Sequence, residues 1–376
     1  MGTLRILTAD GGGIRGKISA RIFRDLEKDI GPLHKHFHFM AGTSANALNL
    51  TALSAVQDQP ILSADALDGL YTSKGPAIFD RSLTRKFTTL NGLVLNSKYS
   101  PENLQSIVDH VFTDTALSDV SSRLMVTAYD VENRKPVVFK SWEAAGLKDT
   151  SGDIIVYDPA KDFMLSDVVM SSAAAPTYFP PHTTHNMDGA INTMIDGGVW
   201  ANNPAQVALA EARSIFGDVH DFLVVSVGTG ETERRVQAQD HQDWSISGWL
   251  RNGLVSLLMD APTSAIDKQM REERNVSYHR LQMDLKRREA DKPAPNDDLD
   301  DSSPENIARL EERADEFLHN NKDYMCKLKN YFSYHALPNY QELLEEANWA
   351  AKKREERRDP IMDLPPREEF YDAAPP

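Results

Sequence analysis

The run LRILTADGGGIRGKIS, residues 4–19, constrains this chain more than any other stretch. Residues 4–9 read as a strand. Ile18, Ile22, Phe23, Leu26 and Ile30 then recur at helical spacing, so the glycines between form a strand-to-helix turn. A strand that passes directly into a helix begins a parallel crossover, and a parallel sheet has to be covered by helices. The pattern returns at residues 37–41, which lead into GTSANALNL. It returns again at residues 222–227, a continuous apolar run of the kind buried on both faces. Residues 124–131 and 137–142 read as two more strands joined around residues 133–135. The chain is therefore expected to be α/β, with a mostly parallel central sheet.

Gly11, Gly13 and Gly16 satisfy G-x-G-x-x-G, the spacing by which a turn of this kind holds pyrophosphate. A dinucleotide site also needs an acidic residue at the end of the second strand. That strand ends instead in Ala41-Gly42-Thr43-Ser44, and Asp10 would repel a phosphate. The loop is thus expected to serve another anion, with no nucleotide cofactor.

GTSAN suggests which. A serine between small residues at a strand-to-helix turn is either a nucleophile elbow or a helix N-cap, so Ser44 has two readings. As a nucleophile it needs a base and a stabiliser for the oxyanion it creates. The N–H groups of Gly11, Gly12 and Gly13, at a helix N-terminus, can supply the second. Arg15 either holds that loop by pairing or is a surface charge. The base candidate lies in MIDGGVWANNPA, residues 194–205. There Asp196 follows Ile191, Met194 and Ile195 and precedes two glycines, so it either organises its own turn or accepts the serine proton. Asn202 or Asn203 is expected to cap a helix opening at Pro204. The residues 173–181 either line a wall of the site or pack in the core. The histidines show no paired metal-ligand spacing, and the single Cys326 excludes an intrachain disulfide.

The net charge of −15 argues against a nucleic-acid partner, which requires clustered Lys and Arg, and against attraction to an anionic membrane. Contact with lipid would have to rely on local apolar surface. With no apolar run long enough to span a bilayer and no signal-peptide pattern, the chain reads as soluble and cytoplasmic, with peripheral membrane contact. Residues 247–270 look helical. Residues 286–303 are charged and Pro-containing, expected as a solvated, mobile loop. Residues 304–330 are helical again, and 339–358 read as an exposed helix with acids early and bases late. The division expected is a catalytic domain over 1–285, the polar loop 286–303, and C-terminal helices with a Pro-rich tail over 304–376.

Taken in order, DGGGIRG, GTSAN, SSAAAPTYFPPH, DGGVWANNP and VVSVGTGE resemble the patatin-like phospholipase family. Weaker similarity continues through YHRLQ and DDSSPENIARLEERADEFL. The resemblance implies a three-layer α/β/α fold and a Ser–Asp dyad, with Ser44 as nucleophile and Asp196 as base. It places the oxyanion hole on Gly11, Gly12 and Gly13 with Arg15 in support, and the elbow on Gly42 through Asn46. It implies hydrolysis of fatty-acyl esters of phospholipids, lysophospholipids or galactolipids through an acyl-enzyme, without metal or cofactor, on membrane or micellar lipid. The family's elbow usually has Gly where this chain has Asn46. If that position has positive φ, Asn tolerates it better than other residues with a Cβ, and Asn46→Gly would be neutral or better. The alternatives are an effector phospholipase switched on by a ligand or partner, and a catalytically quiet lipid-binding or storage protein.

Overall fold

A computed structural model of the chain describes residues 2–79, 89–90, 93–94, 97–146, 157–231, 254–285 and 293–355. Eight of the described strands form one sheet. They are β1 (Thr3–Ala9), β2 (Phe39–Gly42), β3 (Arg123–Asp130), β4 (Lys135–Lys140), β5 (His182–His185), β6 (Ile191–Asp196), β7 (Asp221–Val227) and β8 (Val276–Leu281). Their order is β8-β7-β1-β2-β3-β6-β5, with β4 also paired to β3. The run from β8 to β3 is parallel throughout. β6, β5 and β4 are antiparallel to their neighbours. The sheet is thus mostly parallel, but the strand that carries Asp196 runs against it.

The side-chain period of two sorts β1 between two cores. Leu7 and Ala9 face a core built with α1 (Gly16–Ile30), α2 (Ala45–Leu53), α3 (Ala64–Ile78), α4 (Glu102–Phe112) and α5 (Leu165–Ala173). Leu4 and Ile6 face a second core under α6 (Ala205–Phe216) and part of α7 (Leu254–Glu272). A central parallel strand buried on both sides is mostly apolar, as Phe222–Val225 of β7 are, while β1 also buries the polar Arg5 and Thr8. The architecture is helix–sheet–helix, in three layers.

The C-terminal helices join these layers. α8 (Pro304–Asn320) and α9 (Lys322–Tyr334) extend the first core through Ile307, Leu310, Met325 and Phe332. α10 (Tyr340–Glu355), expected as an exposed helix, buries Leu343, Leu344 and Ala347 in the second. The start of the chain explains the difference. The fully buried Arg5 guanidinium donates from Nη2 to the carbonyls of His335 and Ala336, both at 2.9 Å. His38 Nε2 meets Pro338 O at 3.1 Å and His220 Nε2 meets Leu343 O at 3.0 Å. These polar groups lie beneath the C-terminal segment, which closes the base of the sheet.

Of the expected solvated loop, residues 286–292 lie outside the described residues, as does the tail beyond 355. The part that is described packs closely: Leu299, Asp300 and Ser302 are buried, and Leu299 O accepts from Ile14 N at 2.8 Å. Among the described residues no helix is long and apolar enough to cross a membrane.

Candidate active site

Two adjacent strand-to-helix turns build the site. At the end of β2 the chain reverses into α2 through Ser44, whose own backbone is left-handed (φ 56°, ψ −127°). The turn needs glycine at position 42, where a Cβ would come within 2.2 Å of Asn46 O. Thr43 Oγ1 donates to Ala201 O at 2.7 Å, and Ser44 N–H to Ser172 Oγ at 2.8 Å, so the bend is held from both sides. Ser44 makes no side-chain capping bond to α2. Its hydroxyl instead donates to Asp196 Oδ2 at 2.7 Å.

The structure corrects the expectation for Asn46. The strained residue is Ser44 itself, while Asn46 lies inside α2 and is buried. Its Nδ2 donates to Asp10 O at 2.5 Å and Ser19 Oγ at 3.0 Å, and its Oδ1 accepts from Asn49 Nδ2 at 2.8 Å. The amide thus ties α2 to the first glycine turn and to α1. A glycine there would free the helix but sever the tie.

Asp196 ends β6 beside β3, opposite Ala128, with its N–H donated to Ala174 O. Gly197 follows because a Cβ there would lie 2.4 Å from Thr127 O. The chain then turns so that Gly198 N–H reaches Asp196 Oδ1 at 2.7 Å. The carboxyl is completely buried, which pushes its pKa up to about 7, against the smaller pull of the Ser44 and Gly198 hydrogen bonds. Asn203 Oδ1 accepts from the N–H of Ala205, the first residue of α6, although Pro204 and neither asparagine is the N-cap; Asn202 faces the glycine turn.

That turn uses its N–H groups unequally. Gly11 N–H is already donated to Asn202 O at 2.9 Å. Those of Gly12 and Gly13 donate to no described residue, and both glycines line the cavity above Ser44. Gly13 has φ 55°, and a Cβ there would be 2.2 Å from Leu299 O. Thr229 Oγ1 braces the loop through Gly11 O at 2.9 Å. Arg15 is a buried residue: its Nη1 reaches Gly230 O at 3.5 Å and its Nη2 lies 3.8 Å from Asp260. Asp10 pairs with Arg280 of β8.

The cavity measures about 910 Å³ including its open mouth. Ser44, Asp196 and Gly11–Gly13 contribute its polar end, and Leu48, Leu70, Ile78, Leu104, Val169 and Phe179 much of the remainder. Ala173, Ala175 and Tyr178 of the expected wall also line it. The lining is thus polar at the Ser44 end and apolar over most of the rest. Among the described residues no group of three or more His, Cys, Asp or Glu side chains could hold a metal ion.

The sequence profile of a family described as patatin-like phospholipase matches residues 7–209, over half of the chain and every residue of the Ser44–Asp196 contact. The chain belongs to the patatin-like phospholipase family. Patatin-like protein 2 of Oryza sativa subsp. indica is 31% identical, over 69% of this chain and 69% of that one. Patatin-like protein 1 of Arabidopsis thaliana is 30% identical, over 73% of this chain and 69% of its own. Membership in the patatin-like phospholipases carries the general activity, hydrolysis of lipid acyl esters. Four residues that brace the site were not singled out from the sequence: Ser172, Thr229, Arg280 and Leu299. The first two sit in the SSAAAP and VGTG stretches and the third in YHRLQ, which the resemblance had touched; Leu299 had no signal beyond being the one apolar residue in an acidic run.

Proposed function

We propose that this patatin-like phospholipase cleaves fatty-acyl esters of phospholipids, lysophospholipids or galactolipids, with Ser44 as nucleophile and Asp196 as its base. The observation that carries the reading is the 2.7 Å hydrogen bond from Ser44 Oγ to a buried carboxylate, at the polar end of an apolar cavity. Ser44 Oγ attacks the ester carbonyl while its proton passes to Asp196 Oδ2. The negative charge that develops on the carbonyl oxygen is taken by the N–H groups of Gly12 and Gly13, with α1 behind them. Gly11 and Arg15 act on the loop and not on the oxygen. The tetrahedral adduct collapses as Asp196 returns the proton to the leaving alcohol. Water then repeats the sequence on the acyl-enzyme, releasing the fatty acid.

Asp196 accepts a proton only when ionised, so the rate should rise as pH passes through about 7. The cytoplasmic setting and the peripheral contact with lipid belong to the same proposal, as does a catalytic unit spanning 1–285, to which Leu299 adds one wall. Purified protein incubated with a lipid panel, with the released products identified by mass spectrometry, tests it. Free fatty acid and lysolipid or headgroup-bearing alcohol are expected from wild type and from neither Ser44→Ala nor Asp196→Asn. Full turnover by either variant sinks the dyad, and no release from any lipid sinks the substrate class.

A further inference from the structure

The Asp10–Arg280 pair is buried, distant in sequence and unused by the chemistry above. Arg280 enters from the edge strand β8, where it sits opposite Ser226 of β7, which in turn is opposite Thr8 of β1. Its side chain is 4% exposed and that of Asp10 3%. Nη1 donates to Asp10 Oδ1 at 2.9 Å and to Ser226 Oγ at 2.8 Å, while Nη2 bonds Asp10 Oδ2. Nε lies 3.9 Å from Asp267. The fork thus crosses β7 to grip the carboxylate at the end of β1.

A buried ion pair is weak evidence for stability, because desolvation offsets most of the attraction. Its position in the chain is the informative part. Asp10 is the last residue before the glycines, and it is fixed at every polar group. Its N–H goes to Val227 O at 3.0 Å, its carbonyl accepts from Asn46 and its carboxylate accepts from Arg280. The next residue, Gly11, is fixed through Asn202, so two consecutive residues hold the register of Gly12 and Gly13. A carboxylate this near the glycine N–H groups would also oppose a developing oxyanion unless neutralised.

The geometry points to Arg280 as a positioning residue for the reaction: through Asp10 it sets the aim of the Gly12–Gly13 donors and neutralises the carboxylate that immediately precedes them. This rests on the Ser44 reading. Oxyanion donors count only in the transition state, so Arg280 acts on kcat and not on KM. Since it does not touch Asp196, it leaves the pH at which the rate rises where it was.

The test compares Arg280→Lys, Arg280→Met, Asp10→Asn and the double variant Arg280→Met/Asp10→Asn on p-nitrophenyl butyrate, with circular dichroism to follow folding. Arg280→Met should lose about 100-fold in kcat, the scale of a lost oxyanion donor, with KM within about threefold. Arg280→Lys, which keeps the charge but not the fork, should lose about tenfold. The double variant should recover at least about tenfold over Arg280→Met, because the lone carboxylate is gone. Wild-type kcat in Arg280→Met overturns the proposal, as does a double variant no better than the single, or a rate limb that moves by about one pH unit. If Arg280→Met does not fold, Arg280→Lys and the double variant decide: wild-type kcat in both overturns it. Ser44→Ala, run alongside, separates the two ideas. Turnover surviving there defeats the nucleophile assignment, whereas wild-type kcat in the Arg280 variants defeats only the role of Arg280.

Discussion

The turns after β1 and β2 lie side by side, face one cavity and solve opposite problems. In the first, the left-handed conformation falls on Gly13, which adopts it without steric cost. In the second it falls on Ser44, where a side chain makes it costly by about 1–3 kcal/mol. The turn assigned to bind charge is relaxed, and the turn assigned to react is strained. The strain is held by neighbours, Ser172 on the backbone and Thr43 through Ala201, rather than relieved by a small residue. What the pair teaches is that the side chain the chemistry needs occupies the one position that geometry would have given to glycine.

The sharpest way to break this contrast is to exchange Ser44. Both Ser44→Ala and Ser44→Gly should lower turnover on a p-nitrophenyl ester by about a thousandfold or more. Their stabilities should differ in the unusual direction, with Ser44→Gly about 1–2 kcal/mol more stable than Ser44→Ala in denaturant titration. Equal stabilities, or the ordinary preference for Ala, would mean that position 44 is unstrained.

Asp196→Asn comes next. The buried carboxyl holds its proton up to about 7 where an exposed one would release it near 3.8, so ionising it costs the folded state stability. That cost is absent below about pH 4, grows as pH rises and is complete above about 7. The Asn variant should therefore be inactive yet more stable than wild type at pH 8, by at most about 4 kcal/mol, with the gap closing at pH 4. Thermal unfolding at the two pH values reads this directly, and a gap independent of pH would contradict it.

Gly13→Ala tests the relaxed turn. Its Cβ would press on the Leu299 carbonyl, so a loss of about 3 kcal/mol is expected. Gly31 ends α1 at φ 82° with open space around it, and Gly31→Ala should cost only about 1 kcal/mol. If the two cost the same, the contact with Leu299 contributes nothing.

Asn46→Gly should carry the opposite sign to the one the family pattern suggests. It removes hydrogen bonds to Asp10 and Ser19, and it places glycine inside a helix, for a loss of about 2–3 kcal/mol. A variant as stable as wild type would restore the reading in which position 46 is part of the bend.

These cases also mark what the residues alone disclosed. The unit of strand, glycines and α1 was legible because apolar period and turn chemistry agree over residues 4–30. Ser44 and Asp196 each stood out against small neighbours, although only folding brings residues 152 positions apart to 2.7 Å. The direction of β6 was not legible, since an antiparallel strand with one buried face and a parallel edge strand share a pattern. Asn46 misled because the bend moved two residues earlier, onto a residue with a side chain. α10 misled because its acids and bases describe its wet face, while Leu343, Leu344 and Ala347 describe the other. Arg280 was one arginine among many until β8 brought it to Asp10.

The contact between Arg5 and the carbonyls of His335 and Ala336 spans 330 and 331 positions of chain. During synthesis the groups that cover the Arg5 guanidinium emerge some three hundred residues after β1. The central strand of the sheet therefore has to wait, and closing so long a loop is slow. A fragment that stops short of His335 keeps both glycine turns and both reactive side chains but leaves Arg5, His38 and His220 without the partners that satisfy them. Such a fragment is a substrate for chaperones and proteases before it is an enzyme.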